Sequence, residues 1–225
     1  MLFDLLRNGF STDVLMSLLA RVFVVFCTLP IHEYAHALVA TKLGDDTARL
    51  KGRLTLSPLA HIDPIGAIMI FFVGFGYAKP VPVNPRKFKN QKLGMALTAL
   101  AGPASNIIMA IIFMILSNLC NFAMLKTGAL FAQVAMLFFY AAASINIGLA
   151  VFNLIPIPPL DGSRIANLLI PSKYYFKIMQ YERYIILGVF ALILFGVLDR
   201  PLNFISGLLM NLISYITGLP FALLY

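Results

Sequence analysis

Charge is scarce in this chain of 225 residues. Only 12% of them are Asp, Glu, Lys or Arg, about half the share of a soluble domain. Apolar residues make up 60%, and the mean hydropathy is +0.90. A soluble protein of this size needs far more polar surface, so the composition excludes one and points to an integral membrane protein. Acidic residues are fewest, 9 against 17 Lys and Arg, which leaves a net charge of +8. In a membrane protein that excess reads as basic loops facing the cytoplasm, and no nucleic-acid partner is expected. Cysteine is nearly missing. Cys27 and Cys120 both lie in apolar runs and form no Cys-x-x-Cys pair, which argues against a disulfide framework or a thiolate zinc site. Low-complexity segments and internal repeats are absent. The length suits a single membrane domain, 1–225, without an appended soluble module of ordinary size. The opening MLFDLLRNGF lacks a basic n-region, an apolar h-region and a small-residue cleavage site, so no removable signal peptide is expected.

The apolar runs define the architecture. Residues 14–40 form one long apolar stretch, interrupted by Arg21, Pro30 and the group His32, Glu33, His36. As helix it spans about 40 Å, enough to cross a bilayer and protrude. Residues 93–119, 128–155, 184–198 and 203–219 read as four more membrane helices, the 184–198 run being short. Residues 48–50 and 53–57 alternate enough for two short strands around Gly52. Residues 65–77 are apolar but too few for a standard span, which suits a re-entrant element. Pro80, Pro82 and Pro85 enforce extended backbone after it. The expected fold is therefore an all-α polytopic membrane protein of about five membrane helices. A re-entrant segment and short β-strands lie near the functional site. A core of about 14–164 precedes C-terminal helices at about 183–222.

Orientation follows from the basic residues. If 65–77 enters and leaves on one face, thirteen Lys and Arg at positions 42–92 and 164–183 share one side. Arg7, Arg21, Lys126 and Arg200 share the other. A full crossing by 65–77 would erase most of that skew. The re-entrant arrangement places the N-terminus outside and the C-terminus in the cytoplasm.

The chemistry-bearing residues begin with His32-Glu33-Tyr34-Ala35-His36, an H-E-x-x-H pattern. Histidines at i and i+4 share a helix face, so both imidazoles can reach one Zn²⁺. Glu33 projects about 100° round from His32, placed to take a proton from water without ligating the metal. The competing reading is a pair of core histidines with an incidental acid. Ionisable groups within a membrane are costly, at roughly 2.5–3.5 kcal/mol even on the lenient insertion scale for Asp, Lys and Arg. Three in five residues need a reason, and a metal supplies one.

A catalytic zinc site takes three protein ligands and leaves one position open. Candidates for the third are His61 and the acids Asp45, Asp46, Asp63, Asp161 and others near the ends. Asp161 stands out because an apolar helix runs into Pro156, Pro158 and Pro159 just before it, and prolines cannot continue a helix. Unwound backbone at membrane depth is tolerated only where protein buries it or water enters. Gly162 permits a turn that can aim the carboxylate back. A turn-forming Asp-Gly at the membrane surface is the competing reading. His61 and Asp63 are too few ligands for a metal by themselves, so a loop-holding role is favoured for them. Asn146 and Asn153, seven apart, share a helix face, and interhelical hydrogen bonding is the expectation for Asn146.

Three motifs in order then resemble one family. They are HExxH in a membrane segment, Ala-Gly-Pro-Ala-Ser-Asn at 101–106, and Asn153-x-x-Pro-x-Pro-x-x-Asp161-Gly162. Together they resemble the site-2 proteases, which are intramembrane zinc metalloproteases. Gly52-Arg-Leu-Thr-Leu-Ser-Pro-Leu and Ala78-Lys-Pro-Val-Pro-Val-Asn look like the compact bacterial subgroup without PDZ or CBS modules. The resemblance covers about residues 14–164. It implies that His32, His36 and Asp161 bind one Zn²⁺ per chain and that Glu33 is the general base. Asn153 resembles the family's asparagine near the scissile bond, an oxyanion donor. Gly102-Pro103 and Asn106 resemble its packing signature on the middle core helix. The implied substrate is a transmembrane protein in a lipid bilayer, and the implied location a bacterial cell membrane with the site toward the cytoplasm. Homo-oligomerisation is left open. Local unwinding of a substrate helix would precede cleavage, and the extended segments at 48–57 and 78–86 could pair with it by strand addition. The competing function is a non-hydrolytic metal-dependent binder or a transporter. Metal binding alone does not need Glu33, and transport predicts paired broken helices, of which only one is visible.

Overall fold

The structure is a computed structural model that describes residues 12–66 and 78–222. Among the described residues the protein is built from helices. Helix α1 (Thr12–Phe23) runs through a π-helical stretch (Val24–Thr28) into α2 (Leu29–Lys42). Two short helices follow, α3 (Thr47–Leu50) and α4 (Pro58–His61). Then come α5 (Gln91–Thr127), α6 (Leu130–Asn153), α7 (Asp161–Ala166), α8 (Ser172–Gln180), α9 (Glu182–Leu194) and α10 (Asp199–Ala222).

Among the described residues four stretches are long and apolar enough to cross a membrane: Val14–Lys42, Gln91–Thr127, Leu130–Asn153 and Asp199–Phe221. The expected fifth span corresponds to α9, which has 13 residues and reaches only about 20 Å. That is short of the roughly 30 Å hydrocarbon core. All but the first two residues of the expected re-entrant run, 65–77, lie outside the described residues.

The strand expectation at 48–57 is corrected. Residues 48–50 belong to α3, and 51–57 are turn and irregular backbone. The Asp45 carboxylate accepts the Thr47 N–H where α3 begins. Gly52 ends the turn at φ +66°, a left-handed conformation that glycine adopts at no steric cost. Alternation over so few residues does not outweigh such local bonding. An isolated antiparallel bridge between Ile62 and Ala78 is the β-pairing found among the described residues.

Pro30 occupies the first turn of α2, directly after the π-helical stretch. A proline lacks the N–H that would bond four residues back, and a wider π-turn is one way a helix absorbs that loss. The chain therefore passes from α1 to α2 without a break.

The main core joins α1, α5, α6 and α10 through Ala20, Phe113, Met114, Ala143, Ile147 and Ile213. Small residues dominate the contact faces, with Ala96, Ala99 and Ala110 on α5 and Ala142, Ala143 and Ala150 on α6 all buried. Small side chains let helix backbones approach closely, the usual basis of packing inside a bilayer. Phe23 adds edge-on contacts to Phe113 and Phe138, at 5.7 and 5.5 Å between ring centres. Leu97, Leu100, Ile108, Ile111, Ile115 and Leu119 stay exposed along α5, the surface a lipid environment covers. A second cluster packs Phe152 and Leu160 on Val189 of α9, holding the irregular 154–160 backbone. Cys27 and Cys120 are free thiols.

Candidate active site

Helix α5 packs against both α2 and α7, and these two helices carry the predicted ligands. His32 and His36 lie one turn apart on α2, both buried. Their Nε2 atoms are 3.0 Å apart. Asp161 opens α7, and its Oδ2 stands 3.4 Å from His32 Nε2 and 3.3 Å from His36 Nε2. Around a tetrahedral ion with ligands at about 2.0–2.1 Å, neighbouring ligand atoms are about 3.3–3.4 Å apart. The two separations to Asp161 match that spacing and the one between the histidines is somewhat shorter, so the three atoms can face one ion and leave a fourth position for water. Among the described residues these three form the group of His, Cys, Asp and Glu side chains that could hold a metal ion.

His36 Nδ1 lies 2.7 Å from the carbonyl oxygen of Thr98. A carbonyl only accepts, so Nδ1 carries the hydrogen and the Nε2 lone pair is left available to a metal ion. Fixing the far nitrogen in this way is how second partners orient metal-binding histidines. Thr98 was not foreseen, since a backbone carbonyl leaves no mark in a residue pattern. Glu33 is buried on the same helix as the two histidines.

The backbone before Asp161 explains its position. Helix α6 ends at Asn153, and three prolines lead through irregular backbone to α7. A Cβ added at Gly162 would fall 2.5 Å from the Ile155 carbonyl oxygen and closer still to that of Leu154. Gly162 is thus required for close approach to the loop carbonyls. Its φ is not positive, so close packing and not a left-handed turn explains the glycine. Ser163 Oγ donates to the Leu160 carbonyl at 2.7 Å, tying the start of α7 to the loop.

Asn153 is half-buried at the end of α6. Its Nδ2 donates to the Leu149 carbonyl at 3.0 Å, which uses one of its two N–H hydrogens. Asn146 behaves likewise, donating to Ala142 of its own helix at 2.8 Å. The interhelical bond expected for Asn146 is therefore replaced by an intrahelical one, because the carbonyl four residues back is always within reach. His61 is fully buried, and its Nε2 donates to the Thr55 carbonyl at 2.7 Å. Asp63 accepts the backbone N–H groups of Ile65 and Gly66. Both hold the loop, and neither belongs to the metal-capable group.

A strap crosses beside the site. Val81 packs in one cluster with Ala37 of α2 and Ala48 of α3, and Ala37 adjoins His36. Arg53 donates to the carbonyls of Lys79 and Pro80 at 3.1 and 3.0 Å. Asp45, fully buried, accepts the Asn84 N–H at 2.6 Å and stands 3.7 Å from Lys87 Nζ. Burial alone would raise its pKa. Hydrogen bonds from Thr47 and Asn84 and the Lys87 charge outweigh that and hold it below the usual carboxylate range. The strap was expected from its prolines; its anchor Asp45 was not.

Membrane-crossing helices around a buried two-histidine, one-carboxylate tripod with an adjacent glutamate define a membrane-associated zinc metalloprotease. Comparison with known proteins agrees. The family model described as Peptidase family M50 matches residues 119–197. A relative in Bacillus subtilis (strain 168), “Putative zinc metalloprotease YwhC”, is 45% identical over 163 residues, 72% of this chain and 74% of the relative. “Putative zinc metalloprotease Rip2” of Mycobacterium tuberculosis (strain ATCC 25618 / H37Rv) is 31% identical over 139 residues, 60% of this chain. The protein of that name in Mycolicibacterium smegmatis is 28% identical over 140 residues. In both Rip2 proteins the match spans 51% of the relative's length. No solved structure matches. The chain belongs to peptidase family M50, the site-2 protease family that its motifs resemble, and zinc is its cofactor.

Proposed function

We propose that this protease hydrolyses peptide bonds in or near transmembrane segments of membrane proteins, from a site opening toward the cytoplasm. The observation that carries the reading is the convergence of His32, His36 and Asp161 inside a membrane-embedded bundle, with Glu33 buried on the same helix. In this reading the tripod holds one zinc ion, which when bound polarises the scissile carbonyl and acidifies water. Glu33 takes the proton from the attacking water and passes it to the departing amine nitrogen. Asn153, by turning its amide from Leu149 or using its second N–H, donates to the developing oxyanion. The single membrane domain spans 1–225, with the catalytic core at about 14–164.

The strap supports substrate docking by strand addition. Pro80 and Pro82 have no N–H, whereas Val81 and Val83 alternate with them and face the opposite edge of an extended chain. One edge therefore offers both donors and acceptors to an unwound substrate. Residues 48–50, being helical, drop out of that role.

Comparative membrane proteomics of wild type and Glu33→Gln tests the activity. A membrane fragment should accumulate uncut in the variant, which keeps its zinc. General-base loss should slow cleavage by roughly 10²–10⁴-fold. Near-normal proteolysis by Glu33→Gln would show that the mechanism is wrong. Orientation is read by single cysteines placed at 51 and 87. Both should label from the cytoplasmic side, and labelling from opposite sides would overturn the assignment.

A further inference from the structure

Gly102 lies on α5, eleven residues into the helix, and is buried. A Cβ built there would fall 2.5 Å from Cε1 of both His32 and His36, and closer still to His36 Nε2. Real Cβ atoms essentially never sit under 3.0 Å from another heavy atom, so any side chain at 102 must push the imidazoles or the helix away. The His36 ring and the helix are both held in place. His36 is held from its other side by the Thr98 carbonyl, one turn before Gly102 on the same helix. Helix α5 is held against α6 by the buried alanines and Phe113 of the main core.

Glycine has a cost here, being a poor helix residue, and nothing in the backbone requires it, because its φ is ordinary. Gly148, on the adjacent α6, has nothing within 4 Å of an added Cβ. Close approach is thus not shared by every helix glycine, and at 102 the groups it admits are the two imidazoles. Pro103 follows directly. It removes the N–H that would bond the Ala99 carbonyl and loosens this turn of α5, the turn against which His36 rests.

We propose that Gly102 is a positioning residue for the zinc site. By having no side chain it lets both imidazoles close against α5, which brings their Nε2 atoms into line with Asp161. The inference rests on the reading of His32, His36 and Asp161 as ligands, and adds that α5, which supplies no ligand, sets where they converge.

The test is Gly102→Ala, with Gly148→Ala as control, measured in purified full-length protein in detergent. Zinc affinity is read by metal analysis against a competing chelator, and ligand geometry by the visible spectrum of the Co²⁺-loaded protein. Gly102→Ala should bind zinc at least tenfold more weakly and shift the cobalt bands, whereas Gly148→Ala should match wild type. Melting temperatures are compared in wild type and in a His32→Ala/His36→Ala background. Gly102→Ala should lower the melting temperature in wild type. It should leave it unchanged or raise it where the rings are gone, since Ala is the better helix former. If Gly102→Ala does not fold in the wild-type background, the second background still decides. Wild-type zinc affinity with an unshifted cobalt spectrum overturns the proposal, as does an equal loss of melting temperature in both backgrounds. Full zinc in His32→Ala and His36→Ala would remove the ligand assignment instead. The stability comparison would still report the steric contact.

Discussion

Asp45→Asn isolates the strap from the metal. The carboxylate is fully buried. It accepts the Thr47 N–H at 3.0 Å through Oδ1 and the Asn84 N–H at 2.6 Å through Oδ2. Asparagine keeps the shape but replaces one oxygen with an NH₂ that faces a donor. One charge-assisted bond is lost, worth about 1.5–3 kcal/mol, and a buried N–H is left unsatisfied. These overlap, so the net cost is about 2–4 kcal/mol of local stability, spent on detaching 84–87 from the turn between α2 and α3. The proline-rich strap should then lose its place beside Ala37. If the strap docks substrate, KM should rise while zinc content stays at the wild-type level. The native Asp45 also predicts a pH dependence. Its folded pKa lies below the usual carboxylate range, so its stabilisation is complete above the unfolded value near 4 and is lost as pH falls through the folded value. Asp45→Asn should therefore flatten the acid limb of a melting profile. Unchanged stability and KM at neutral pH would refute the anchoring argument.

Two further variants separate binding from chemistry in the site. Asp161→Asn replaces the carboxylate proposed to hold zinc with a poor ligand, so both metal content and cleavage should fall; full zinc by metal analysis would remove Asp161 from the ligand set. Asn153→Ala should keep zinc but lower kcat by roughly 10²–10³-fold, the usual cost of losing an oxyanion donor, and an unchanged kcat on a membrane substrate would rule that role out.

Much of the site was visible in the residues because its spacing is local. The i, i+4 interval of His32 and His36 is a property of any helix, and their nitrogens do converge. Asp161 was visible because three prolines must end α6 wherever they fall. The strand expectation at 48–57 went wrong at the same scale. A carboxylate two residues away, with a glycine to close the turn, decides a four-residue segment more strongly than alternation does. What no local pattern could reveal is the contact between elements far apart in sequence. Thr98 meets His36 across 62 positions, and Asp45 meets Asn84 across 39. Both use backbone groups, a carbonyl and an N–H, that nearly every residue type carries.

Glycines 102 and 162 show how the distant parts are brought together. Each stands where a ligand-bearing element meets something that cannot retreat. Gly102 faces the two imidazoles, and Gly162 faces the carbonyls of Leu154 and Ile155. One sets how closely α2 lies on α5. The other sets how closely the start of α7 folds back on the broken end of α6. The separations of 3.0–3.4 Å among the three candidate ligand atoms depend on both approaches, because a shift of even 1 Å at either would open the tripod beyond the reach of one ion. Ionisable groups inside a membrane are costly unless each finds a partner, so a tripod that failed to close would weaken the fold as well as the chemistry. Both demands fall on the same two positions, and both are met there by leaving out a side chain.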